Sequence, residues 1–280
     1  MEINGSALVT GASRGIGRAV ALELARRGFD TVATMRDPDA GSGMAKMADG
    51  RLEVRRLDVT DPATFDLPDD LRVLVNNAGI DTEYLPVEHA NIGDWRRMFE
   101  TNVFGTVALT SAAIPALREN RPSVVCNVTS SSILAPVPFF SAYRASKAAV
   151  SAFGDSLRVE VARFGIRVVE IMPGPVDTDM FRLSKGDPDA ARFPEYRELA
   201  DVAAELRRAH GDQRVVEPAA AAAAVVDAIV ERSGPMRYGC DPVAYELIDL
   251  WRQSDDETVF ALMGQSLLDL AARGDGGAGA

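Results

Sequence analysis

The chain has 280 residues, with 30 Lys and Arg against 41 Asp and Glu, for a net charge of −11. No basic run offers the surface that a phosphate backbone needs, so nucleic acid is not an expected partner. Two cysteines, Cys126 and Cys240, are too few to staple a chain of this size and read as reduced thiols, and with no signal-like start and no long apolar stretch a soluble, cytoplasmic protein without a membrane span is expected.

Short β-branched runs alternate with segments of helical period along most of the chain, which predicts a parallel sheet crossed by helices. The strands are read at residues 7–10, 31–34, 52–57, 73–76, 124–128 and 167–171, with a seventh near 236–238. Most are apolar throughout, as strands covered on both faces are. Helices are read at 15–27, 95–117, 142–164 and 219–231. The last follows Pro218 and contains a run of alanines, both of which favour a helix. Residues 179–216 interrupt the rhythm with Pro, Arg and acids around a helical stretch at 196–209, and read as an insertion closing over a site on one domain spanning 1–273. Residues 274–280 are Gly- and Ala-rich and read as a flexible tail.

The first strand runs into Thr10-Gly11-Ala12-Ser13-Arg14-Gly15-Ile16-Gly17 and then directly into a helix. Glycines let a backbone approach a pyrophosphate, and the helix start supplies unpaired N–H groups and a positive dipole. No Gly-Lys-Ser/Thr follows, which argues against a nucleoside triphosphatase. The spacing is GxxxGxG, and with Leu57-Asp58-Val59, Asn76-Asn77-Ala78-Gly79 and the Pro173-Gly174 segment that includes Val176 and Thr178 the sequence resembles the short-chain dehydrogenase/reductase family over residues 5–180. The resemblance implies a Rossmann-type α/β fold, a doubly wound parallel sheet of about seven strands with helices on both faces. It also implies cofactor contacts at Gly11, Ser13, Arg14, Gly15, Ile16, Gly17, Asp58, Val59, Asn77, Ala78, Gly79, Pro173, Gly174, Val176 and Thr178.

An NAD-selective site presents a carboxylate about 20 residues past the glycine loop, for the ribose 2′-hydroxyl. Here Met35 stands in that place and Arg36 follows it, while Arg14 lies within the loop. Two guanidinium groups suit a 2′-phosphate, so NADP(H) is the expected cofactor. Asp37 leaves an NAD-dependent alcohol dehydrogenase open as an alternative.

Tyr143 and Lys147 are one helical turn apart and so share a face, with Ser130 upstream, just past an apolar strand. A phenol can pass a proton, a nearby cation can lower its pKa and a hydroxyl can hold a substrate oxygen. Only Lys46, Lys147 and Lys185 are lysines among the 30 basic residues, which makes a lysine at this spacing informative. The family resemblance assigns catalysis to Ser130, Tyr143 and Lys147, has Tyr143 and Lys147 also touch the cofactor, and gives Asn102 a kink and a proton relay. Ser131 and Ser132 read as hydroxyls that bond backbone. His89 and His210 each stand alone in the sequence, so no metal site is expected. Phe139, Phe140, Met180 and Phe181 read either as ordinary packing or as an apolar substrate wall.

The resulting expectation is an NADP(H)-dependent oxidoreductase interconverting a carbonyl and a secondary alcohol on a small lipophilic molecule. Among family members it looks most like the hydroxysteroid and retinol dehydrogenases. The resemblance further implies a homodimer or homotetramer assembled through the helices at 95–117 and 142–164. A regulator that binds NADP(H) without turnover is the alternative of a different class.

Overall fold

The computed structural model describes residues 1–184, 189–211, 214–265 and 267–269; the tail at 274–280 and Lys185 lie outside the described residues. Seven strands make one sheet: β1 (Ser6–Val9), β2 (Asp30–Met35), β3 (Leu52–Arg56), β4 (Leu71–Asn76), β5 (Ser123–Val128), β6 (Ile166–Ile171) and β7 (Arg237–Tyr238). They lie in the order β3-β2-β1-β4-β5-β6-β7, and every neighbouring pair is parallel. The strand order reverses between β1 and β4, which opens a crevice at their carboxyl ends.

Side chains alternate across the sheet as strand geometry requires. Ala7, Val9, Val73 and Val75 pack with Val20 and Leu24 of α1 (Gly15–Arg27) and with Val225 and Ile229 further along the chain. Leu8, Leu74 and Val125 point the other way, onto Leu109, Leu117, Leu157 and Val161. The α1 boundaries are those read from the sequence. Its last turn carries Arg26 and Arg27, which suit the negative end of the helix dipole, and Gly28 closes it at φ 111°.

The helix read at 95–117 is instead three pieces: α2 (Ile92–Phe99), a π-helical turn (Glu100–Gly105) and α3 (Thr106–Glu119). After β5 comes α4 (Ser141–Ala162). The insertion begins with α5 (Asp179–Ser184), passes through two short 3₁₀ turns and continues in α6 (Arg197–Gly211). It returns where Val216 bridges Val176 and leads into α7 (Pro218–Val230). A helix not anticipated, α8 (Pro242–Gln253), follows β7. Among the described residues no helix is long and apolar enough to cross a membrane.

Candidate active site

The glycine turn sits at the carboxyl end of β1 and is stitched to the loop after β4. Thr10 Oγ1 accepts from the amides of Asn77 (3.0 Å) and Ala78 (2.9 Å), while Asn77 Nδ2 donates to the carbonyls of Thr10 (2.9 Å) and Gly11 (3.2 Å). Gly11 has φ 64°, and a Cβ there would lie 2.8 Å from Ala78 Cα. Only glycine lets these two loops approach so closely. No side chain caps the start of α1, so its first amides have no side-chain partner there.

The catalytic candidates converge on the same edge. Ser130, in the loop after β5, shares a 2.9 Å hydrogen bond with Ser132 Oγ and acts to lower the Tyr143 phenol. Lys147 Nζ donates to Val128 O at 2.9 Å and lies 5.8 Å from the centre of the Tyr143 ring. Gly79 is close by, since a Cβ there would fall 3.3 Å from Asn102 Oδ1 and 3.4 Å from Lys147 Nζ. Asn102, in the π-helical turn, accepts from Ile80 N (2.8 Å) and donates to Ile80 O (3.0 Å) and Ser146 Oγ (3.0 Å). Its amide thus clamps the loop after β4 onto α4. The helix breaks at Asn102 because the side chain and the turn around it are held by that loop.

Burial pushes Lys147 down to about 8, against the opposing pull of Asp81. The same burial pushes the Tyr143 phenol up, the Asp81 carboxylate pushes it further, and the Ser130 hydrogen bond works against both. Lys147 directs its ammonium at the Val128 carbonyl while standing beside the phenol ring, and desolvation is the largest influence on both groups.

The sequence profile described as short chain dehydrogenase matches residues 6–188. The chain belongs to the short-chain dehydrogenase family. A sulfoacetaldehyde reductase of Chromohalobacter salexigens is 34% identical over 208 residues, which is 70% of this chain and 82% of that protein. Human retinol dehydrogenase 5 is 34% identical over 182 residues, covering 61% of this chain and 56% of its own. A short-chain dehydrogenase from Burkholderia cenocepacia, solved in complex with NADP, superposes with a TM-score of 0.75 at 26% identity, covering 94% of this chain and 99% of that one.

At the adenosine end of the crevice of this dehydrogenase, Met35 is buried in the core and Arg36 is exposed. Asp37 accepts from Asp39 N at 3.1 Å and so caps a 3₁₀ turn. The β2–β3 register sets Arg56 opposite Met35. This second arginine was not anticipated, and only the register reveals it. Burial acts to raise Asp58, but hydrogen bonds from Thr60 and the charges of Arg36 and Arg56 hold it below the usual carboxylate range. Val59 is buried beside Gly105.

The other predicted positions divide between the crevice and the core. Ser13, Gly15 and Ile16 are half-buried in the turn and at the start of α1, whereas Gly17 is buried. Arg14 is exposed, and its guanidinium lies 3.8 Å from Asp179 on the insertion. The Val176 side chain is buried in the core and leaves only backbone toward the crevice. Thr178 packs over the glycine turn, with Cγ2 3.2 Å from where a Gly15 Cβ would stand. Pro173 O accepts from Ser131 N at 2.9 Å, and Gly174 N donates to Asp241 at 2.6 Å.

Three positioning residues escaped the sequence reading. Asp241 holds Gly174 and caps α8 through Ala244 N. Arg144 Nε donates to Ser132 O at 2.7 Å and fixes the serine loop onto α4. Asp81 is raised by burial, even though the Tyr84 hydroxyl (2.5 Å) and the Thr82 amide (2.8 Å) donate to it. None of the three belongs to a motif of the family. Ser132, read as a hydroxyl that bonds backbone, shares its hydrogen bond with the Ser130 hydroxyl instead. His89, read as isolated, in fact stacks on Phe193 at 3.7 Å. Tyr84 stacks on Phe140 at 4.1 Å, and Phe139 meets Tyr196 edge-on.

Proposed function

We propose that this oxidoreductase uses NADP(H) to interconvert a carbonyl and a secondary alcohol on a lipophilic substrate. The observation that carries the reading is the grouping of the Ser130 hydroxyl, the Tyr143 phenol and the buried Lys147 ammonium at the mouth of the β1–β4 crevice. The residues present fit a dinucleotide. The uncapped start of α1 and the close-packed Gly11 suit a pyrophosphate, and Arg36 with Arg56 suits a 2′-phosphate better than a free hydroxyl. The structural neighbour bound to NADP supports the same choice.

The bound cofactor supplies or accepts the hydride. Tyr143 Oη donates its proton to the carbonyl oxygen during reduction and takes it back during oxidation. Ser130 Oγ donates a hydrogen bond to the same oxygen, and Ser132 and Arg144 keep that hydroxyl in place. Lys147 keeps positive charge beside the phenol, and Asn102 positions the loop that packs against Lys147. A phenol held above its usual pKa is protonated at neutral pH, which is the state that reduction requires of it. The ring pairs Tyr84–Phe140 and Phe139–Tyr196 support an apolar wall for the substrate.

The test is a screen of NADPH and NADH oxidation across steroid, retinoid, aromatic and small aldehyde substrates. Turnover with NADPH that falls by a factor of about 10²–10⁴ in Tyr143→Phe, with cofactor affinity unchanged, is the expected result. Tight NADPH binding without turnover of any carbonyl overturns it. We also propose self-association through the π-helical turn and α4, where Phe104 is 58% and Val159 79% exposed. Light scattering is the check, and a monomer refutes that part.

A further inference from the structure

The insertion meets the body of the protein at a cluster that plays no part in the reaction above. Glu88 and His89 end a short 3₁₀ turn between β4 and α2, and Glu195 lies in the insertion, in the turn Pro194–Tyr196. One ligand-capable atom from each of the three lies within 4.8 Å of the others. His89 Nε2 and Glu195 Oε1 are already 3.5 Å apart, although 106 positions separate them in the chain.

The surrounding rings fix this geometry. Phe193 lies flat on the His89 imidazole at 3.7 Å and 6°, so the ring plane is set by the insertion itself. Tyr196 meets the same ring edge-on, and its hydroxyl donates to Glu88 Oε1 at 2.5 Å. The imidazole and one carboxylate are therefore oriented before any ligand arrives, as partners of metal ligands usually are.

We propose that Glu88, His89 and Glu195 bind a divalent cation of the zinc class, which ties the insertion to the β4–α2 loop. In a tetrahedral site with bonds of about 2.0–2.2 Å, neighbouring donors stand roughly 3.3–3.6 Å apart. The His89–Glu195 separation matches that span, and with all three donor atoms within 4.8 Å of one another, rotation of the exposed Glu195 carboxylate toward Glu88 closes the rest. One imidazole with two carboxylates suits zinc, cobalt or manganese. All-oxygen sites are typical of calcium and magnesium, and thiolates of copper(I). Three protein ligands leave the fourth position to water. No catalytic residue is shared, so the inference stands apart from the carbonyl reading and survives its failure.

The experiment is calorimetric titration of zinc chloride into the full chain near neutral pH, with unfolding temperature measured with and without the metal. One equivalent is expected to bind, and to raise the unfolding temperature because the folded state alone holds the three donors together. His89→Ala and Glu195→Gln are each expected to weaken binding by at least about tenfold and to remove the thermal shift. The second variant keeps the side-chain volume, which guards against loss through misfolding. His210→Ala, at the only other histidine, is expected to leave both readouts unchanged. Absence of zinc binding, binding that survives both ligand variants, or binding lost in His210→Ala overturns the proposal. So does a stability loss in His89→Ala that is the same with and without zinc, since that is the signature of a plain His–Glu latch.

Discussion

On the sheet side of the site, Asn102 (1% exposed), Lys147 (6%) and Ser130 (9%) are nearly closed to solvent, and each is hydrogen-bonded to main chain or to a neighbouring catalytic group. On the insertion side, contact with the body runs through exposed charges and stacked rings, such as Arg192 with Glu83 at 3.1 Å and His89 on Phe193. The two walls differ in what a change of sequence costs them. Buried polar groups that lose a partner keep the desolvation penalty, whereas exposed ion pairs exchange their partners for water with little loss. The sheet-side wall is held in one geometry, and the insertion-side wall is free to vary.

That contrast is sharpened most by Lys147→Ala, which is expected to lower kcat by a factor of about 10²–10⁴, in line with loss of a group that sets acid–base chemistry. The wild-type rate should fall as pH rises through about 8, where Lys147 loses its charge. Stability should move the opposite way. The folded pKa lies below that of a free lysine, so between the two values the unfolded chain binds the extra proton and stability rises with pH. Denaturant unfolding across that window should show the rise in the wild type and not in Lys147→Ala.

Arg36→Ala is the next largest, with KM for NADPH expected to increase about tenfold and KM for NADH to stay unchanged, the loss of one charge-assisted phosphate contact. Equal effects on both cofactors would break the assignment of the adenosine end. Asp81→Asn removes a negative charge that raises Tyr143. The acidic limb of the pH–rate profile for alcohol oxidation, where Tyr143 becomes the base, should then move toward lower pH, by about one unit. A profile that stays in place would separate Asp81 from the sheet-side wall. Arg192→Ala, on the insertion, should change unfolding free energy by no more than about 1 kcal/mol and leave kcat alone. A large effect on kcat would erase the distinction between the walls.

Much of the frame was legible because period and local chemistry agree. The α1 limits follow from a glycine turn at one end and Arg26-Arg27-Gly28 at the other, and the strands announce themselves by doubly apolar runs. The break at Glu100–Gly105 was signalled only by the family resemblance, as a kink at Asn102, and not by helical period, because it is stabilised by Ile80, outside the helix. Arg56 and Asp81 were missed for the same kind of reason. Arg56 reaches the cofactor end only through the pairing of β2 with β3, and Asp81 nears Tyr143 only through the packing of the loop after β4. α8 was missed although Asp241 caps it and Pro242 opens it, both local signals, because the segment lies outside the motif-bearing part of the chain.

The hydrogen bond from Gly174 to Asp241 crosses a boundary that sequence comparison draws elsewhere. The family match ends at residue 188, yet a loop inside it is moored by a carboxylate well beyond it. Homology and mechanics therefore divide this chain at different points. A hybrid enzyme that takes its front from one relative and its back from another inherits the loop from one parent and the mooring from the other. The carboxyl-terminal portion must bring its own Asp241 if the loop at Gly174 is to keep its shape.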